Sequence, residues 1–283
     1  MLLPILVLIG CGKNTETVDH QPKKVVLTES DSLKLVKEIE NPKDQSHSGI
    51  MELVLGKPKH DVSSIGILVY DGVNDLDVMG PRYILGQSLT RPKLIAIDSG
   101  NIKTVMGVEI VPDATIKDIS NLDVLIIPGG STGTIKASYN DEVLDWIRKI
   151  DEQSVFTGSV CTGGWILGAT GLLEGKRASG NWYREEEFLK KYKAIPANER
   201  YTRDGKYWTS AGVTAGMDMS IAILAEIYGD KYAQGVMLDL EYDPAPPIEG
   251  GTPEKTVWTV RWLMKAMYDG AVNPTIESLE QKK

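Results

Sequence analysis

Short apolar runs closed by turn residues set the pattern of this chain from position 65 onward. Ile65–Tyr70 is an unbroken apolar run stopped by Asp71-Gly72, the signature of a buried strand followed by a turn. Leu94–Ile97 repeats it, and Leu122–Ile127 repeats it before Pro128-Gly129-Gly130. Gln153–Thr157 predicts a further strand and Val108–Val111 an edge element. Asp141–Ile150 instead spaces its apolar residues along one helix face. Helices are also predicted over Thr162–Ala169, Met217–Ile227 and Tyr232–Leu240. Asp204-Gly205, between Tyr201–Arg203 and Lys206–Thr209, is a hairpin signal, because a tight turn needs positive φ. Strands alternating with helices indicate an α/β fold around a mainly parallel sheet, whose ligands bind beyond the carboxyl ends of the strands.

Outside this region the pattern changes. Met1–Ile9 is apolar throughout, too short to cross a bilayer as a helix and suited to an export signal. Leu8-Ile9-Gly10-Cys11 resembles a bacterial lipobox, so residues 1–11 are expected to be a lipoprotein-type signal segment with Cys11 lipidated. That predicts a lipid-anchored protein of the bacterial cell envelope, tethered to a membrane through Cys11. The alternative is a cytoplasmic protein with an incidental cysteine. Residues 12–63 are polar and poor in aromatics, and read as a linker with a short strand at Lys24–Leu27 and a short helix at Ser32–Glu38. Residues 64–253 carry the α/β domain. Residues 254–283, with Trp258, Trp262 and Met264, read as a C-terminal helix and tail that packs on the domain or on a partner. Glu185–Glu187 with Lys190, Lys191 and Lys193 reads as a solvated helix face.

Composition then narrows the chemistry. The net charge of −8 disfavours nucleic acid as a partner, since phosphate binding needs a basic face. The chain holds two cysteines, Cys11 and Cys161, too few for a zinc cluster. Its three histidines, His20, His47 and His60, all precede the first strand of the domain. A Cys-His, Ser-His or His-metal mechanism therefore has no imidazole in the domain proper.

Cys161 stands in the string Thr157-Gly158-Ser159-Val160-Cys161-Thr162-Gly163-Gly164, where a strand gives way at once to a helix. A nucleophile elbow needs small residues two positions either side, and Ser159 and Gly163 supply them. The helix N-terminus offers partial positive charge and free N–H groups, which predict a lowered thiol pKa and a thiolate at neutral pH. The Thr162 N–H would face developing negative charge. Gly129 and Gly130, at the end of a neighbouring strand, would leave room for a small substrate and offer further N–H donors. The competing reading of Cys161 is a buried small hydrophobe.

At these residues the chain resembles the ThiJ/PfpI superfamily, with its class I glutamine amidotransferase-like fold, and within it the isonitrile hydratase branch. Four strings carry the resemblance: Gly72-Val73-Asn74-Asp75-Leu76-Asp77-Val78-Met79-Gly80-Pro81, Ile127-Pro128-Gly129-Gly130, Ser159-Val160-Cys161-Thr162-Gly163, and Ser210-Ala211-Gly212-Val213-Thr214-Ala215-Gly216-Met217-Asp218. Leu240-Glu241-Tyr242-Asp243-Pro244-Ala245-Pro246-Pro247 is similar to the hydratase branch in particular. The resemblance implies a flavodoxin-like three-layer sandwich, a homodimer, Cys161 as nucleophile, Asp77 as acid and base, and Thr162 as the adjoining catalytic residue. Asp77 follows the first strand and precedes Gly80-Pro81, at the mouth of the sheet, where a thiolate would raise its pKa. Asp75 reads as a solvated turn residue. Much of the superfamily has a histidine in a Thr-His-Trp-like string; here the matching string is Ser179-Gly180-Asn181-Trp182, and Asn181 cannot shuttle a proton near neutral pH.

The implied activity is that of a carbon–oxygen lyase, hydrating a small isonitrile to an N-substituted formamide with no metal or organic cofactor. The alternatives are a glyoxalase- or deglycase-like thiol enzyme acting on small aldehydes, and a tethered binding or redox-sensing protein in which Cys161 is oxidised.

Overall fold

The computed structural model describes residues 28–40, 52–88 and 90–281. Cys11, its apolar segment, His20, His47 and the strand expected at Lys24–Leu27 lie outside the described residues. Helix α1 (Glu29–Glu40) contains the helix expected at Ser32–Glu38 and buries none of its residues.

In chain order the strands are β1 (Ile65–Val69), β2 (Lys93–Ala96), β3 (Ile102–Lys103), β4 (Glu109–Ile110), β5 (Ala114–Thr115), β6 (Val124–Ile127), β7 (Phe156–Val160), β8 (Arg177–Ala178), β9 (Ile195–Pro196), β10 (Tyr201–Asp204) and β11 (Tyr207–Ser210). Seven of them form one sheet in the order β10-β11-β7-β6-β1-β2-β5. Every pairing in it is parallel except the β10–β11 hairpin. Strands β1, β6 and β7 are buried at every position, as expected where helices cover both faces. The glycine of the hairpin signal, Gly205, takes the positive φ of 63° that the turn demands.

The domain helices are α2 (Asp75–Gly86), α3 (Thr132–Ser138), α4 (Asp141–Asp151), α5 (Gly163–Ala169), α6 (Glu185–Lys191), α7 (Val213–Tyr228), α8 (Asp230–Asp239) and α9 (Trp258–Glu280). One group packs α2 on α7 and α7 on α8; the other packs α3, α4, α5, α6 and α9 together. The α/β fold read from the pattern is thus the fold of the protein.

Three expectations shift. Strand β7 runs to Val160 rather than stopping at Thr157, because Gly158 and Ser159 are paired with β6 and β11 in the middle of the sheet. The Val108–Val111 region supplies β4, which pairs with β3 in a separate ribbon and not with the main sheet. Helix α2, over a stretch for which the pattern predicts no helix, starts at Asp75 behind an Asn74 cap whose side chain accepts from the N–H groups of Leu76 and Asp77.

The C-terminal helix does pack on the domain. Val272, Tyr268, Ile276 and Leu279 join Ile135, Trp165, Tyr183 and Phe188 in a second apolar cluster. Trp258 and Trp262, on its first turns, remain exposed.

Candidate active site

Strand β7 delivers Cys161 to the carboxyl edge of the sheet, and α5 begins two residues later. Cys161 sits at φ 60°, a left-handed conformation that a non-glycine residue adopts only under constraint. Its N–H donates to the Ser210 carbonyl at the end of β11, 3.0 Å away, which helps to hold the turn. The elbow requirement for a small residue at Gly163 is severe: a Cβ there would lie 2.0 Å from the Ile127 carbonyl oxygen. Gly163→Ala is therefore expected to destabilise the fold by about 3 kcal/mol or more, the upper end of the overpacking range, measurable by denaturant unfolding.

Asp77 approaches from the first turn of α2 and is completely buried. Burial raises its carboxyl pKa to about 7, against the opposing pull of the Cys161 thiol and the Gly129 N–H. Neither contact is a well-aligned hydrogen bond, and both carboxyl oxygens lack any other partner. The carboxyl is thus close to the sulfur and poised between its two protonation states near neutrality.

The thiol departs from expectation. Burial, and next the charge of Asp77, raise the Cys161 pKa well above its ordinary value; the Thr162 N–H and the Asn181 side chain pull it down without prevailing. The resting site holds a protonated thiol beside a titrating carboxyl, not a standing thiolate. The sequence motif identified the helix terminus but not the burial that outweighs it.

Thr162 and the two glycines form a clasp. The Thr162 hydroxyl donates to the Gly130 carbonyl at 2.9 Å and accepts from the Gly130 N–H at 3.0 Å. The Gly130 N–H is therefore engaged within the protein, and the Gly129 N–H faces Asp77 rather than open space. The expectation that both glycines present free donors to a substrate is corrected: they are glycines because backbones close on them. A Cβ on Gly129 would meet the Thr162 hydroxyl at 2.6 Å, and one on Gly130 the Gly72 carbonyl at 2.2 Å. Tyr70, at the end of β1, donates to the Pro128 carbonyl at 2.7 Å and pairs with Thr134 at 3.0 Å, bracing the same loop. The apolar run Ile65–Tyr70 gave no sign of that role.

Asn181 touches the sulfur directly, its Nδ2 donating to Cys161 Sγ over 3.0 Å. From α9, Tyr268 stands near enough for the charges of Cys161 and Asp77, after burial, to raise its phenol pKa. Asp75 is no solvated turn residue: it accepts from the Thr104 hydroxyl at 2.7 Å and the Met106 N–H at 3.2 Å, tying the ribbon to α2. Glu185, read as part of a solvated face, accepts from the Gly180 N–H at 2.9 Å, while Glu186 and Lys190 do form the expected surface pair. His60 lies edge-on to Phe156, at the amino end of β7, and so at the opposite end of that strand from Cys161.

A family model for the DJ-1/PfpI family matches residues 63–226. The chain belongs to the DJ-1/PfpI family. It is 38% identical over 191 residues to isonitrile hydratase from Pseudomonas putida, spanning 67% of this chain and 83% of that one. It is 27% identical over 146 residues to the HTH-type transcriptional regulator CdhR of Pseudomonas aeruginosa, spanning 51% of this chain and only 43% of the regulator. Among solved structures, a ThiJ/PfpI family protein from Pseudomonas syringae matches with a TM-score of 0.73 at 31% identity, over 85% of this chain and 99% of that one. Drosophila melanogaster DJ-1beta, with a TM-score of 0.59 at 19% identity over 64% of this chain and 98% of its own, shares the DJ-1/PfpI fold.

Proposed function

We propose that this protein hydrates isonitriles to N-substituted formamides, with Cys161 as nucleophile and Asp77 as the proton carrier. The observation that carries this reading is the buried Asp77–Cys161 pair, which among the described residues has Asn181 rather than an imidazole at the sulfur. The similarity to isonitrile hydratase supports the substrate class. The reaction needs one group that can first accept and then return a proton, and a carboxyl with a pKa of about 7 does both at neutral pH. Cys161 keeps only 8% of its surface exposed, which suits the slender linear head of R–N≡C.

The steps balance. The Asp77 carboxylate takes the S–H proton as the sulfur attacks the terminal carbon, and that carbon, left with an electron pair, takes the proton from Asp77. The product is the thioimidate R–N=CH–S–Cys161. Asp77, a carboxylate again, then takes a proton from water as the water oxygen adds to the same carbon, and passes that proton to the nitrogen. Collapse of R–NH–CH(OH)–S–Cys161 breaks the C–S bond, releases R–NH–CHO and returns the proton to the thiol. The Thr162 N–H, already acting on the sulfur, stabilises it as it leaves.

The test is direct. Purified protein incubated with cyclohexyl isonitrile should consume it and form N-cyclohexylformamide at an equal rate, read by mass spectrometry. Turnover of methylglyoxal with no loss of isonitrile would replace this reading by the glyoxalase-like one.

A further inference from the structure

We propose that the C-terminal helix α9 is a positioning strut for the nucleophile, acting from Asp269 through Tyr183 and Asn181 onto the Cys161 sulfur. This rests on Cys161 being the reactive thiol and extends that reading to the residues that aim its hydrogen-bond donor.

The links are continuous. The Asn181 amide is nearly buried, with Nδ2 donating to Sγ at 3.0 Å and Oδ1 accepting from the Tyr183 N–H at 3.0 Å. The second bond settles the amide's orientation: an oxygen held by an N–H leaves only the NH2 end for the sulfur. Tyr183 is itself almost fully buried, and its hydroxyl donates to Asp269 Oδ1 of α9 at 2.7 Å. Its ring stacks on Tyr268, one residue earlier on the same helix, with centroids 4.9 Å apart. Arg184, at φ 54°, donates to Asn273 Oδ1 at 2.9 Å, one turn further along α9. On the other side of Asn181, the Gly180 N–H is held by Glu185. The loop bearing Asn181 is pinned at both ends, and two of its ties run to α9.

An N–H bonded to sulfur strengthens when the thiol becomes a thiolate, because the bond is then charge-assisted. Asn181 thus favours the state in which sulfur attacks, and any loosening of its aim should lower thiol reactivity. The titratable groups around the sulfur are Asp77 on α2, Tyr70 at the end of β1 and Tyr268 on α9. Both phenols are pushed upward by burial and by the site's own charges, so Asp77 alone among them titrates near neutrality.

The test uses the full chain with Cys11→Ser, leaving Cys161 as its single thiol. The readout is the rate of iodoacetamide alkylation against pH, which requires no isonitrile turnover. Asn181→Ala should slow alkylation by about tenfold or more at about pH 7.5, the worth of a bond to a charged group, and move the profile to higher pH. Tyr183→Phe and Asp269→Ala should each shift it the same way by about threefold or more, because aim is weakened but the donor remains. Asp269→Asn keeps an acceptor for the Tyr183 hydroxyl and should restore the wild-type profile. Tyr183→Phe and Asp269→Ala profiles within about twofold of wild type would overturn the strut even if Asn181→Ala is slow. A slow Asp269→Ala that Asp269→Asn does not rescue would overturn it equally. Normal alkylation shifts in a protein that never consumes isonitrile would sustain the strut and refute the hydratase reading alone.

Discussion

Cys161→Ser is expected to reduce isonitrile turnover by at least about a thousandfold, the scale of losing a covalent nucleophile. The substitution changes one atom at a position whose backbone is already committed to φ 60°, held by its N–H to the Ser210 carbonyl. The fold should therefore survive, with an unfolding midpoint close to wild type. The chemistry should not. A carboxyl with a pKa of about 7 takes a proton far less readily from an alcohol than from a thiol, the more acidic of the two in the same site, and the alkoxide is the poorer leaving group in the last step. The check is formamide production by both proteins, with unfolding curves run in parallel. A serine variant that keeps a tenth of the activity would remove the thiol from the reaction.

Asp77→Asn is expected to lower kcat by a factor of about 10² to 10⁴, the usual range for a positioned proton-transfer group. It should also erase a pH limb. In the wild type, kcat/KM should rise with pH through about 7, as Asp77 loses its proton and becomes able to accept the one from Cys161. The asparagine variant should show no such rise.

The same substitution should stabilise the fold at alkaline pH. Asp77 titrates at about 7 in the folded protein, against an ordinary value of 3.8. Below the ordinary value the carboxyl is protonated in both states and favours neither. As pH rises the unfolded chain ionises first, so folded stability falls until the folded carboxyl has also ionised, above about pH 7. At roughly 1.4 kcal/mol per unit, the loss is of the order of 4 kcal/mol. Asparagine carries no charge to bury, so its advantage over the wild type should be largest near pH 8 and absent near pH 4. An Asp77→Asn protein less stable than wild type at pH 8 would show that the carboxyl is not a buried, strained charge. Greater stability with lost turnover is the trade expected of a residue kept for chemistry.

Much of this protein is legible along the chain because its signals are local. Apolar runs ending in Asp71-Gly72 and Pro128-Gly129-Gly130 are strands in one parallel sheet, and Asp204-Gly205 does mark a hairpin. The elbow is legible for the same reason, since Gly163 is demanded by a carbonyl that a methyl group would strike. The last residues of strand β7 are not legible locally, because Gly158 and Ser159 are poor strand formers by themselves. Pairing with β6 and β11 on either side overrides that preference. The start of α2 is not legible in the chain, because its cap, Asn74, and the acidic first turn that follows resemble an ordinary loop.

What the sequence determined by itself, then, is the elbow, the place of Cys161 on it and the lack of a domain histidine to serve it. These depend on neighbours within a few residues. Only the tertiary structure decided how the thiol is governed. Its protonation is the sum of burial, the Asp77 charge and N–H groups contributed by separate elements, and burial exceeds the pull of the helix terminus. Asn181 became a donor to the sulfur, and Asp269 its distant support, because folding closes loops that no local pattern encodes.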